Sequence, residues 1–98
     1  MRLILILLFT LPPALSAADS NEGQKKSSTC VACHGQNGIS PNDQWPNLAG
    51  QKKQYLSEQL KAFKNGTRVN PLMSPIANSL SDQDIQDLVD YFSQLKGP

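Results

Sequence analysis

The sequence is short of the materials that most large function classes need. Its 98 residues hold one His, two Cys and one Trp, and aromatic residues make up 6%. With no second His and no third Cys, a structural zinc site of four such ligands has too few donors. Nine basic residues face eight acidic ones, a balance that counts against nucleic acid as a partner. The longest apolar stretch, Leu3–Leu11, is about half of what a bilayer-spanning helix requires. Nothing alternates with period two over a strand length, and there is no internal repeat or low-complexity tract. The length excludes a Rossmann unit, a TIM barrel or a multi-domain enzyme.

What is present begins with an address label. Met1-Arg2 give a basic start, Leu3–Leu11 an apolar middle, Pro12-Pro13 a break, and Ala14 to Ala18 a small-residue stretch. This is the pattern of a secretory signal. We expect residues 1–18 to be a signal peptide cleaved near Ala17/Ala18, with export to the periplasm. Residues 19–98 then form one domain of about 80 residues. A domain of that size buries only about 60–65% of its unfolded surface and ordinarily needs a staple or a ligand. Its charge is uneven: residues 19–70 carry seven basic and four acidic groups, residues 71–98 one basic and four acidic.

Two cysteines in an exported domain would ordinarily suggest a disulfide. Here they stand as Cys30-Val31-Ala32-Cys33-His34, the C-x-x-C-H signature of c-type haem attachment. Two thiols must meet the two vinyl groups on one edge of a porphyrin, and the next residue must reach the iron. A thioredoxin-like redox pair would need a βαβ framework for which this chain gives no sign.

The periodic segments are helical. Ile85, Leu88, Val89, Phe92 and Leu95 form one apolar stripe in a helix predicted over Ser81–Leu95. Ser81 and Asp84 suggest a capping box, and Leu80 with Ile85 a hydrophobic staple. A second helix is predicted over about Gln51–Lys64, with Leu56, Leu60 and Phe63 in register and Asn65-Gly66 as its stop. A first helix, around Asn21–Cys33, has almost no apolar face. Gly35–Ala49 and Thr67–Asn78 read as loops. The expected fold is all-α, a small domain of about three main helices and loops wrapped around one covalently attached haem.

Haem iron takes a sixth ligand, and the donors are few. Lysine is protonated at neutral pH, and beyond the signal the only methionine is Met73, in the proline-bracketed run Asn70-Pro71-Leu72-Met73-Ser74-Pro75. His34 and Met73 are therefore the expected axial ligands.

These residues together resemble the class I c-type cytochromes of bacteria, in particular the mono-haem c-553 type and one half of the di-haem c-4 kind. The resemblance runs over nearly all of residues 22–95. It is carried by Gly23, Cys30 to Gly35, Gly38, Pro46 to Gln51, Tyr55-Leu56, Gly66 to Arg68, Met73, Leu80 to Ile85 and Tyr91-Phe92. It implies that Pro46 offers its carbonyl to the free ring nitrogen of His34. It also implies that Leu48, Tyr55, Leu56 and Leu60 line the haem pocket, and that Tyr91 or Phe92 packs near Gly23. Arg68 is expected either to neutralise a haem propionate or to stand as a solvated surface charge. Trp45 is expected to pack on haem or core. The chain departs from the family's more apolar first helix at Lys25, Lys26, Ser27 and Ser28, and the two lysines suggest a docking surface.

The function this implies is a periplasmic one-electron carrier, not an enzyme. Its haem c shuttles electrons between respiratory redox partners that dock transiently on a monomer, with no nucleic acid and no stable membrane insertion. Two other classes stay open at this point: a haem enzyme with Met73 off the iron, and a non-haem redox or metal module using Cys30, Cys33 and His34. Without haem, the chain is expected to stay largely unfolded.

Overall fold

The computed structural model describes residues 1–11 and 20–98. Residues 1–11 form no helix, and the side chains of Leu3 to Leu11 are exposed. The expected cleavage region at Ala17/Ala18 lies outside the described residues. Among the described residues there is no strand, and no helix is long and apolar enough to cross a membrane.

Among the described residues five helices follow one another: α1 (Ser20–Lys26), α2 (Ser28–His34), α3 (Lys53–Asn65), α4 (Met73–Asn78) and α5 (Asp82–Gln94). The all-α expectation holds, but the three expected helices become five. The first is broken at Ser27, whose buried hydroxyl donates to the carbonyl of Gln24 at 2.6 Å. Such back-bonding competes with the helical ladder and bends helices. The other addition is α4, which lies inside the stretch expected to be a loop. A run of six residues is too short to show a period, and its prolines read as loop punctuation. Pro75 is tolerated because it falls in the first turn, where its missing N–H costs little.

The two long helices match their sequence signals closely. Ser81 caps α5: its hydroxyl accepts from the Asp84 N–H at 3.0 Å, and the Asp84 carboxylate accepts from the Ser81 N–H at 2.9 Å. Leu80 packs against the cluster that holds Ile85, as a staple would. Helix α3 ends at Gly66, which takes the left-handed conformation with φ 83°. That geometry strains any residue with a Cβ.

The core is small. Leu56 of α3 joins Ile85, Leu88, Val89 and Phe92 of α5 in one buried cluster, and Cys30, Leu48 and Leu60 pack partly against it. Helix α1 docks on α5 without an apolar face of its own. At Gly23 the backbones come so close that a Cβ would stand 2.3 Å from the Asp87 carbonyl and 2.4 Å from the Tyr91 Cβ. Tyr91, not Phe92, is therefore the residue that meets Gly23. One turn on, the Lys26 ammonium lies 3.0 Å from Asp84 and 2.5 Å from Asp87. Lys26 is committed to α5 and is not a free docking charge, which corrects the expectation for it. Lys25 is exposed, 3.4 Å from Glu22.

Candidate functional site

A cavity of about 480 Å³ opens beside this core, lined by α2, α3, α4, part of α5 and the 44–51 loop. That lies within the range of about 300–1,000 Å³ typical of ligand and cofactor sites. Every residue singled out for a cofactor role lines it: Cys30, Cys33, His34, Pro46, Leu48, Tyr55, Arg68 and Met73, with Leu56, Leu60 and Trp45.

Helix α2 contributes the two thiols and the imidazole. Spacings of three and four residues set Cys30, Cys33 and His34 on one helical face. The cysteines are not joined to each other and are half-buried. Burial pushes the Cys30 thiol above its ordinary pKa, because a low-dielectric site disfavours the thiolate. His34 ends α2, buried at 7% exposure, with Nδ1 2.8 Å from the Pro46 carbonyl oxygen. A carbonyl can only accept, so Nδ1 is the donor and Nε2 is the ring nitrogen left free of that contact.

The loop that brings Pro46 to this point is tied at several places. Gly38 accepts from the N–H groups of Leu48 (2.8 Å) and Ala49 (3.0 Å). Asn47 accepts from the Ser40 N–H at 2.7 Å, and Asn42 accepts from the Gln44 N–H at 2.8 Å. The Gly50 N–H donates to the Phe92 carbonyl at 3.0 Å and ties the loop to α5.

Met73 enters from α4, which packs on α3. Arg68 lines the cavity from the segment between α3 and α4, with its guanidinium 4.5 Å from the Phe63 ring centroid and Nη1 2.6 Å from Gln59. It is an exposed charge that also lines the cavity, so the two roles expected for it are not exclusive. Tyr55 is 49% exposed and sits at the mouth. Phe63 and Ile76 line the cavity as well and were not among the expected pocket residues. Phe63 belongs to the apolar stripe of α3, and Ile76 falls in a stretch without a helical period.

The donor set suits a flat apolar cofactor. Two thiols, an imidazole whose Nε2 is free of the Pro46 contact, and a thioether face a largely apolar interior, and all are ligand types found on haem. A bare metal ion is less well served. Among the described residues no three His, Cys, Asp or Glu side chains converge closely enough to hold one.

Comparison with known proteins agrees with this geometry. Residues 20–96 match the cytochrome c family. The cytochrome c4 of Pseudomonas aeruginosa is 41% identical over 98 aligned residues, covering 97% of this chain and 49% of its own. Cytochrome c-554(548) of Halomonas halodenitrificans is 44% identical over 80 residues, 79% of this chain and 96% of its own. In structure, the cytochrome c4 of Acidithiobacillus ferrooxidans superimposes with a TM-score of 0.75 at 34% identity, covering 85% of this chain and 53% of that one. The chain thus spans about half the length of the cytochrome c4 proteins it matches. It belongs to the cytochrome c family, whose cofactor is covalently bound haem c.

Proposed function

We propose that this chain is an exported one-electron carrier for a single haem, which Cys30 and Cys33 would tether and whose iron His34 and Met73 would hold. The observation that carries the reading is the convergence of those four side chains on one cavity. When bound, the haem supplies a single one-electron iron couple.

The chain's own residues set the character of that couple. Cys30 and Cys33 hold the group at fixed register on α2. Pro46, by accepting from Nδ1, holds the His34 tautomer and ring orientation, which also raises the basicity of Nε2. Met73 offers a soft thioether that favours the reduced metal. Leu56, Leu60, Phe63 and Leu88 exclude water, and a low-dielectric interior disfavours the extra charge of the oxidised state. With His34 and Met73 both engaged, the bound group would have no position for a substrate, and the chain would serve as an electron carrier and not as an enzyme.

Export is supported by the signal-like residues 1–18, and the periplasm is the compartment we assign. Residues Tyr55 and Leu72, both exposed and both lining the cavity, offer a contact surface for redox proteins. Docking there is brief and small, below about 1,200 Å² of total buried area. The chain acts as a monomer.

A redox titration of Met73→Ala beside the wild type tests the ligand set. The potential should fall by a sizeable part of the roughly 0.8 V range that axial ligands control. The variant iron should also bind added imidazole or cyanide far more tightly. Equal potentials and equal ligand binding would remove Met73 from the iron.

A further inference from the structure

The loop that delivers Met73 is organised by a residue that has no role in the reading so far. The Asn70 side-chain oxygen accepts from the Leu72 N–H at 2.9 Å and from the Met73 N–H at 3.0 Å. In return, the Asn70 N–H donates to the Ser74 hydroxyl at 2.9 Å, and the Ser74 N–H donates to the Asn70 carbonyl, also at 2.9 Å. Four hydrogen bonds therefore join Asn70 to residues 72–74.

This is an N-terminal cap placed three residues ahead of Met73, the first residue of regular helix. Asn is among the best capping residues, and Pro71 follows at the position where proline is pre-organised for a helical start. The cap fixes the backbone nitrogen of the residue whose thioether is the proposed ligand. Asn70 is itself half-buried and lines the cavity. At the far side of α4, the Lys64 ammonium donates to the Leu80 carbonyl, and the Leu80 N–H donates to Ala77 at 3.1 Å. The segment carrying Met73 is thus held at both ends.

We infer that Asn70, with Ser74, is a positioning residue that holds the Met73 thioether at the iron; the inference rests on Met73 being the axial ligand. A thioether is a weak ligand, and an untethered one would spend much of its time detached. Each bond to Asn70 reduces the conformational freedom that Met73 must lose on attachment. Detachment of Met73 and rearrangement of its first turn are consequently coupled, and a competing ligand must work against both.

The test uses the holoprotein and imidazole as the competing ligand. Asn70→Ala should raise imidazole affinity of the oxidised protein by roughly 5–30-fold, the range that losing a side-chain cap produces in an equilibrium. It should also weaken the sulfur-to-iron absorption at long wavelength. Asn70→Asp, which keeps the acceptor oxygen, should restore both. Ser74→Ala removes only the reciprocal bond and should give a smaller rise, which keeps the test usable if Asn70→Ala folds poorly. Lys26→Met serves as the control: it weakens the α1–α5 contact and should leave imidazole affinity unchanged. A wild-type sulfur-to-iron band with wild-type imidazole affinity in Asn70→Ala overturns the positioning role alone. Absence of that band from the wild type overturns the Met73 ligand and the positioning role together.

Discussion

Gly23 and His34 show how much single atoms decide in this chain. At Gly23 the missing Cβ lets α1 lie directly on the α5 backbone, with the Asp87 carbonyl 2.3 Å from where that atom would be. The obstacle is main chain, which cannot rotate away. Gly23→Ala should therefore destabilise the folded protein by about 2–3 kcal/mol, at the upper end for overpacking, read as a lower denaturant midpoint at unchanged slope. At His34 the 2.8 Å contact with Pro46 assigns the proton to Nδ1. The attachment motif is entirely local, so Cys30, Cys33 and His34 were legible from five consecutive residues. Met73 is the proposed second ligand by scarcity alone, because beyond the signal the sequence offers no second His, no third Cys and no other Met. Asn70 followed directly by Pro71 is a cap signature, but the helix it starts is too short to show a period, and prolines on both sides of Met73 read equally well as loop punctuation.

Among the elements, legibility follows what holds each one in place. Helices α3 and α5 are held by apolar stripes, so the period of 3.6 residues shows in the sequence. Helix α1 is held by a glycine and an ion pair, and neither produces a period. Its docking charge, Lys26, sits between Asp84 and Asp87. The hydrogen bond and ion pair to Asp87, then those to Asp84, raise the Lys26 pKa above its ordinary 10.5. Asp84 is lowered below 3.8, first by the Ser81 N–H of the capping box and then by Lys26, and Asp87 is lowered chiefly by Lys26. The depressed carboxylates contribute stability that is complete above their unfolded pKa and lost as pH falls through the folded values. The raised ammonium contributes stability that is complete below about 10.5 and lost as pH rises through its folded value. Thermal melts of wild type and Lys26→Met should therefore differ by a constant amount between about pH 5 and pH 9. That gap should narrow as pH falls below 3.8 and both carboxylates protonate. A gap independent of pH in the acid range would mean that Lys26 acts through packing of its stem alone.

In the molecule as a whole, the uneven charge of the sequence has an internal use. Three of the four acidic residues in the last 28 positions face lysines of the other segment: Asp84 and Asp87 meet Lys26, and Asp90 meets Lys53 at 3.1 Å. The asymmetry joins the first and third helices to the last instead of projecting a field outward. The sparse core has a similar explanation. Eight buried apolar residues among the described ones are few for a domain of this size, and the space that a larger core would fill is the cavity beside them. Every donor that the sequence placed on haem lines that cavity, although Phe63 and Ile76 entered the wall only through tertiary packing that no local pattern announces. The most direct test is the optical spectrum of the purified wild-type protein in both oxidation states. The account predicts sharp low-spin c-type bands on reduction and, on oxidation, the weak long-wavelength sulfur-to-iron transition. A protein without haem bands, or one with high-spin bands and no sulfur transition, would contradict it.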